Sequence, residues 1–197
     1  MGHRAGGTPA GSSPVPASSA KIRDVPHSAL ALARSGSTWV GADIDLDDLE
    51  DLDAVVDTLR DRFDGETVVL LVEEDDEWCG IVRLSGDDDV RVFVSDGRVV
   101  EVPGVAQRFF EDAVPPVAPL SLDDDDDDDA DDDDDDDDEG SPDIEPVGDT
   151  ALLADIGTSS AQLLALCAAE GVLPSDLIAA VVESAGAGDV LEKLRPA

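Results

Sequence analysis

An aspartate run near the middle of the chain constrains the fold more than any other feature. Residues 123–139 hold sixteen acidic residues, interrupted only by Ala130. Like charges at this density repel one another, and the run has almost no apolar surface to bury, so it cannot fold alone. We therefore expect residues 115–147 to be a Pro- and Asp-rich disordered linker, extended by its own charge, with folded segments on either side.

The overall charge excludes several classes of protein. The 197 residues include 49 acidic and 12 basic ones, and the net charge is −37. Binding to nucleic acid through phosphate contacts requires clustered Lys and Arg, so we expect no direct nucleic-acid binding. The chain has no run of about 18 apolar residues, which argues against a membrane-spanning helix. Two cysteines are too few for a disulfide scaffold.

The N-terminal residues indicate a tail and a compartment. Residues 1–27 are rich in Gly, Pro, Ser, Ala and Thr without apolar periodicity, which predicts disorder. An export signal needs about 7–15 apolar residues after a basic start. The only candidate, residues 29–33, is closed by Arg34. We therefore expect a cytoplasmic protein with reduced cysteines. The lack of Asn and Tyr and the abundance of Ala, Val, Asp, Gly and Arg indicate a GC-rich bacterial source.

Residues 28–114 are predicted to form an α+β domain. Alternating or continuous apolar residues indicate five strands, at 28–34, 39–44, 68–72, 78–84 and 90–94. The run Val68–Val72 is apolar throughout, which predicts a central strand buried on both faces. The short connections imply a small, mainly antiparallel sheet in the order β-β-α-β-β-β, with one helix packed on it.

The helix of this domain is indicated by apolar residues three and four apart between Leu49 and Phe63. Asp47 or Asp48 is expected to cap its N-terminus. At about 1.5 Å per residue, the predicted helix is about 24 Å long, enough to cover a small sheet.

The segment after the fifth strand shows weaker signals. Asp96-Gly97 is a hairpin signal that predicts a further strand at 99–102. Residues 107–113 then predict a short helix, which the prolines at 115, 116 and 119 bring to an end.

Residues 148–197 are predicted to form a small all-α module. Four short apolar stripes, bounded by glycine or proline, lie at 152–156, 163–167, 177–182 and 190–194. Helices this short enclose a minimal core, so we expect marginal stability. Because the aspartate run has no apolar anchor, we expect residues 28–102 and 148–197 to fold as separate modules.

Residue types that carry enzyme chemistry are scarce and isolated. His3 and His27 lie in or beside the predicted tail, where no held geometry is expected. Cys79 falls on a strand and Cys167 on an apolar helix face, which indicates buried structural thiols. We therefore expect no catalytic, cofactor-binding or metal-binding residues, no cofactor and no enzymatic activity.

Three alternating aspartates imitate the opening of a calcium-binding loop. They are Asp43, Asp45 and Asp47. Such a loop needs Gly at its sixth position and Glu at its twelfth, where this chain has Asp48 and Ala54. The match fails, and no P-loop, dinucleotide-binding glycine motif or nucleophile elbow occurs elsewhere.

The segment 73–78, Glu-Glu-Asp-Asp-Glu-Trp, allows two interpretations. It could form an acidic contact surface with Trp78 as an aromatic anchor, since Trp is enriched in binding hot spots. It could equally be a solvated turn with Trp78 in the core, and we favour this second interpretation. For the aspartate run, a solvating spacer is favoured over a polyanion that binds a basic partner.

Several of these segments occur together in one bacterial family. They lie at 45–53, 72–78 and 91–96 and, after the acidic linker, at 152–157 and 163–167. In this order they resemble the tRNA adenosine deaminase-associated proteins of GC-rich bacteria. The resemblance covers about residues 29–197, apart from 99–122.

The resemblance implies a link to tRNA adenosine deaminase through neighbouring genes, and it implies no catalytic residues. The chain is not the deaminase itself, because zinc deaminases need His-x-Glu and Pro-Cys-x-x-Cys segments that are missing here. The leading hypothesis is a non-catalytic acidic accessory protein with the deaminase as partner, regulating or stabilising it. A general acidic interaction module unrelated to tRNA is the alternative, and an enzyme with an unrecognised site is a third hypothesis.

Overall fold

The computed structural model describes residues 27–86, 89–114 and 145–194. The strands are β1 (His27–Ser35), β2 (Thr38–Asp43), β3 (Thr67–Glu74), β4 (Trp78–Ser85), β5 (Asp89–Val94) and β6 (Val147–Gly148). The helices are α1 (Leu52–Arg62), α2 (Val105–Phe110), α3 (Ser160–Ala168), α4 (Pro174–Ser184) and α5 (Gly188–Leu194). The predicted α+β class is confirmed. The disorder predicted for residues 1–27 and 115–147 lies outside the described residues except at His27, which begins β1, and at 145–147, where Val147 belongs to β6.

The strands form one antiparallel sheet in the order β2-β1-β3-β4-β5-β6. The first five match the five predicted strands. In the register, Leu70 of β3 lies opposite Ala31 of β1 and Val82 of β4. Val68–Val72 is buried throughout and belongs to a central strand, as its continuous apolar run predicts.

The first face of the sheet is covered by helices that are close to it in sequence. Alternate strand residues, such as Leu70 and Val82, pack against Leu59 of α1 and against Phe109 and Phe110 of α2. Strand side chains alternate between faces, so half of the apolar residues in β3 and β4 remain for the other side.

The second face is covered by the C-terminal helices. Leu71, Ile81 and Phe93 of the sheet share one buried cluster with Leu163 of α3 and Val182 of α4. The expectation of two separate modules is therefore wrong, because the helical segment and the sheet bury each other's apolar surface. The sequence pattern showed that β3 needed cover on both faces, but not which segment supplied it. The predicted domain boundaries themselves stay a prediction.

Two contacts fix α4 and α5 on the edge strand β2. The indole N–H of Trp39 donates to the carbonyl oxygen of Ala185 at 2.9 Å. Gly41 faces α5, and a Cβ at this position would lie 2.6 Å from a methyl carbon of Val190. Glycine is required there because the helix approaches the strand backbone too closely for any side chain.

A buried arginine also joins the two layers. Arg83 of β4 has a side chain only 3% exposed, and it points to the second face. Its Nη1 donates to the carbonyl oxygen of Leu152 and to Asp155, and its Nη2 donates to Asp155 Oδ2 at 2.7 Å. These charge-assisted bonds satisfy the buried guanidinium. They also hold the pKa of Asp155 at about 2.

Helix α1 begins later than the sequence suggested. Its N-cap is Asp51, whose carboxylate accepts from the N–H of Ala54 at 2.8 Å, rather than Asp47 or Asp48. Leu49, where the apolar spacing predicted the helix to begin, lies in the loop before Asp51 and packs against the core from there. At about 1.5 Å per residue, α1 spans about 16 Å rather than 24 Å.

The strand predicted at 99–102 is also wrong. Residues Gly97–Glu101 form a 3-10 helix, and the Asp96 carboxylate caps it by accepting from the N–H of Arg98 at 3.0 Å. The sixth strand is β6, which pairs with Phe93 and Val94 of β5. A strand of two residues is too short to show a periodic pattern in the sequence. In addition, β6 follows the aspartate run, whereas its partner β5 precedes it.

Candidate functional site

Acidic side chains gather at one end of the sheet, where β2 and β3 finish and β4 begins. The register places β2, β1 and β3 side by side there, with Asp43 opposite Leu30 and Glu74 opposite His27. We call this region the acidic end. It consists of Asp43, Asp45, Asp47, Glu73, Glu74, Asp75, Asp76 and Glu77.

The turn of the β3–β4 hairpin, residues 75–77, is an exposed part of the acidic end. Its first two residues, Asp75 and Asp76, have φ values of 53° and 57°. The N–H of Glu77 donates to the carbonyl oxygen of Glu74 at 3.0 Å and closes the turn. Three residues, 75–77, connect the paired Glu74 and Trp78. Positive φ at both central positions of a turn is adopted most easily by Gly and Asn, and by Asp at some cost. Aspartate at both positions therefore makes the turn less stable than Asn-Gly would, but it keeps two negative charges there.

The structure decides between the two interpretations of Trp78. The side chain is buried, at 3% exposure, and its ring lies 6.0 Å from that of Phe110 in an edge-to-face contact. Its indole N–H donates to Glu74 Oε2 at 3.0 Å. Trp78 therefore belongs to the core and does not serve as an exposed anchor. The carboxylates of residues 75–77 remain exposed.

A cavity of about 250 Å³ opens beside the acidic end, between the sheet and helices α4 and α5. We call it the rim cavity. Its lining is Ser28, Ala29, Leu30, Asp43, Leu71, Glu73, Ser175, Ile178, Leu191 and Leu194. Sequence reasoning missed it, because the strands and the helices that form it lie about a hundred residues apart.

Glu73 is the half-buried carboxylate of the rim cavity. Burial raises its pKa, and the negative charge of Asp76 adds to the effect. The hydroxyl of Ser28 donates to Glu73 Oε2 at 3.4 Å, a long hydrogen bond that offsets only part of this rise. The ionised form of Glu73 is therefore incompletely stabilised by its surroundings.

Among the residues that the structure describes, the basic groups near the acidic end are already engaged. His27 begins β1 rather than lying exposed beside a tail, and its Nε2 is 3.5 Å from Asp47 Oδ1. Arg98 forms an ion pair with Asp96, with 2.6 Å between Nη2 and Oδ2. Arg108 donates to the carbonyl oxygen of Leu49 at 3.1 Å. The negative charges of residues 75–77 are therefore not neutralised by these basic groups.

The cysteines behave as structural thiols. Cys79 is fully buried in β4, and burial raises its pKa to about 12. Cys167 is partly buried in α3, and burial raises its pKa to about 11. Both thiols stay protonated near neutral pH and are poor nucleophiles. The prediction of buried structural thiols is confirmed for Cys79, and for Cys167 in part.

A larger cavity, of about 530 Å³, lies between α1 and the β5–β6 edge. Its lining is mainly aliphatic and includes Asp53, Arg91 and Asp149. Arg91 is engaged with acids, since its Nη1 is 3.6 Å from Asp149 Oδ2. Among the described residues that line it there is no His, Cys, Ser or Lys.

No group of three His, Cys, Asp or Glu side chains within residues 27–86, 89–114 and 145–194 could hold a metal ion. The aspartates at 43, 45 and 47 therefore do not form a metal-binding group there. Instead, Asp45 Oδ1 accepts from the N–H of Asp47 at 3.0 Å and shapes the loop. Over the same part of the chain, no helix is long and apolar enough to cross a membrane.

The sequence profile of the Rv3753c-like tRNA adenosine deaminase-associated protein family matches residues 27–188. The chain belongs to this family. The match begins at the first residue of β1 and ends in α5, so it includes both the sheet and the helical layer. The resemblance found in the sequence is thereby confirmed. No curated protein and no solved structure matches the chain.

Membership of the deaminase-associated family can be considered together with the charge of the acidic end. The family description names an association with tRNA adenosine deaminase. Residues 75–77 present three exposed carboxylates on this surface. A surface of this kind suits a basic protein partner.

Proposed function

We propose that this protein is a non-catalytic accessory protein that binds tRNA adenosine deaminase through its acidic end. The observation that carries the proposal is the β3–β4 turn, where Asp75 and Asp76 keep their charge at strained positions. Strained residues that persist in a fold often mark a functional site. The family description supports the choice of partner.

The physical basis of the proposal is complementarity of charge. A deaminase that acts on tRNA must present basic surfaces to its phosphates. A chain of net charge −37 is drawn to such surfaces from a distance, and its exposed carboxylates can occupy or shield them. Regulation or stabilisation of the deaminase would follow. Direct binding to nucleic acid is not part of the proposal, and the cytoplasmic location stays a prediction.

The test is the binding of the purified full chain to the cognate deaminase, with and without tRNA. We expect a complex in buffer of low salt that tRNA weakens, because both ligands occupy basic surface. No complex under any condition would overturn the proposal. A complex with unrelated basic proteins of equal affinity would instead support the general acidic module.

Two variants with the same change of charge locate the contact. Asp75→Asn with Asp76→Gly neutralises the turn, and we expect it to weaken the complex about tenfold or more. Asp61→Asn with Glu66→Gln removes the same charge from exposed positions at the opposite end of the sheet. We expect the second variant to bind almost as the wild type. Equal losses in the two variants would show that only the total charge matters.

A further inference from the structure

The rim cavity combines apolar walls with unpaired carboxylates. Leu71, Ile178 and Leu191 supply aliphatic surface from the sheet and from two helices. Asp43 and Glu73 supply the charge, and no Arg, Lys or His is among the described residues that line the cavity. Neither carboxylate forms an ion pair with another described residue. The cavity thus has the chemistry to hold a group that is both aliphatic and cationic.

The size of the cavity narrows the choice of ligand. Small-molecule and cofactor sites usually enclose about 300–1,000 Å³. The rim cavity has about 250 Å³. This volume suits one long side chain better than a nucleotide or a cofactor.

The surroundings of Glu73 would also favour a cation beside it. Burial and the charge of Asp76 raise its pKa, and the only described side chain that donates to it from a neighbouring strand is Ser28, at 3.4 Å. A cation placed beside this carboxylate would restore the stabilisation that it lacks.

We propose that the rim cavity receives an arginine side chain presented by the deaminase. The inference rests on the proposed association and adds a specific contact to it. Arginine fits better than lysine, because its planar guanidinium can donate to Asp43 and Glu73 together and is less strongly hydrated. Its aliphatic stem would lie along the leucine and isoleucine walls. The exposed turn at 75–76 steers the partner, and the cavity anchors it.

The first experiment needs no deaminase. The ¹⁵N-labelled full chain is titrated with N-acetyl-arginine amide, and N-acetyl-citrulline amide serves as the neutral control of the same shape. We expect saturable amide shifts at Leu30, Asp43, Glu73 and Ser175 with the arginine probe and only weak, unsaturated shifts with citrulline. Equal shifts with both probes, or saturable shifts confined to other residues, would overturn the inference.

The second experiment tests the cavity in the complex. Glu73→Gln keeps the size of the side chain and its acceptor for Ser28, and Glu66→Gln makes the same change of charge at an exposed position at the opposite end of the sheet. We expect Glu73→Gln to weaken deaminase binding about tenfold, mainly through faster dissociation, and Glu66→Gln to change it about twofold or less. Thermal unfolding of both variants checks that they fold.

The outcomes separate the two proposals. If the deaminase binds and the two variants lose affinity equally, the arginine site is refuted and the accessory function stands. If the arginine probe binds the cavity but no deaminase complex forms, the accessory function is refuted and the site has another partner. If neither binds, both proposals fail.

Discussion

Arg83 and the β3–β4 turn both place charge where it disfavours folding. The charge of Arg83 is compensated within the chain, whereas the charges of the turn are not compensated by any residue that the structure describes. The guanidinium of Arg83 is buried and fully engaged, by Asp155 and by the carbonyl oxygen of Leu152. Asp75 and Asp76 are exposed at positive φ and have no basic partner among the described residues. A charge satisfied within the chain stabilises one structure, whereas a charge left unsatisfied at a strained position is available to a partner. The first is structural, and we propose that the second is functional.

The largest expected effect comes from removing residues 115–197, which takes away the partners of Arg83. Leu71, Ile81 and Phe93 would also lose their cover. Burial of each such side chain is worth about 1.5–3 kcal/mol, and a whole domain is stable by about 5–15 kcal/mol. We expect residues 1–114 alone not to fold, as judged by thermal melting followed by circular dichroism.

The control for this truncation replaces residues 123–139 with a Gly/Ser segment of equal length and keeps the helices. We expect that chain to melt cooperatively. Cooperative melting of residues 1–114 alone would show that the sheet is independent of its second layer.

A smaller loss is expected from Asp155→Asn, which weakens the pair with Arg83. The buried guanidinium keeps the Leu152 carbonyl but loses its charged partner, which is itself 62% exposed, so unfolding by urea should show a loss of about 1 kcal/mol. Glu192→Gln, at an exposed position of α5, is the control. Equal stability of the two variants would mean that the pair with Arg83 contributes nothing.

The opposite sign is expected at the acidic end. Asp75→Asn with Asp76→Gly supplies the residues that this turn favours, so the free energy of unfolding should rise by about 1–2 kcal/mol. The same variant is expected to bind the deaminase less tightly. Calorimetry and binding measured on one preparation check both. If stability falls, the two aspartates are not strained in the way that we infer.

The pH dependence of stability should separate Asp155 from Glu73. The pKa of Asp155 is lowered to about 2, so its contribution is present above the unfolded value of about 3.9 and is lost as the pH falls towards 2. The pKa of Glu73 is raised, with Ser28, Asp43 and Asp76 around it. Its contribution is present at low pH and is lost as the pH rises through the raised value.

Both effects are expected to be below about 1 kcal/mol, because Asp155 is 62% exposed and Glu73 only half-buried. Urea unfolding of the wild type, Asp155→Asn and Glu73→Gln from about pH 2 to about pH 7 measures them, because that range includes the lowered pKa of Asp155. We expect the free energy of unfolding of Glu73→Gln to increase relative to that of the wild type as the pH rises. A parallel profile for all three proteins would contradict the assignment.

The smallest effect on stability, near zero, is expected when the aspartate run is replaced. Replacing residues 123–139 with Gly/Ser removes 16 acidic residues but no large apolar side chain. If the run steers the partner, association with the deaminase should slow at low salt while dissociation changes little. Surface plasmon resonance at two salt concentrations measures both rates. Faster dissociation would indicate docking, and unchanged association at low salt would leave the run as a spacer.

Much of the sheet could be predicted from the sequence, because strand burial leaves a local pattern. The apolar run Val68–Val72 predicted a central strand, and alternation predicted β5. Local patterns also misled. Leu49 has helical spacing with the residues of α1 but lies in a loop before it, and Asp96 caps a 3-10 helix rather than starting a hairpin.

The candidate site was predictable only in part. The acidic turn at 73–77 was evident as a run of charge, but the burial of Trp78 against Phe110 was decided by packing. The rim cavity had no signal at all. Its walls come from β1, β2 and β3 and from α4 and α5, and no local pattern relates these segments.

The sequence by itself determined the α+β class, the family, the acidic character and the positions of most strands and helices. Each of these depends on composition or on a pattern within about fifteen residues. The tertiary structure decided that the C-terminal helices cover the second face, that Arg83 joins the two layers and that two carboxylates line one cavity. Those outcomes depend on contacts between residues far apart in the chain, and such contacts form only when complementary apolar surfaces meet.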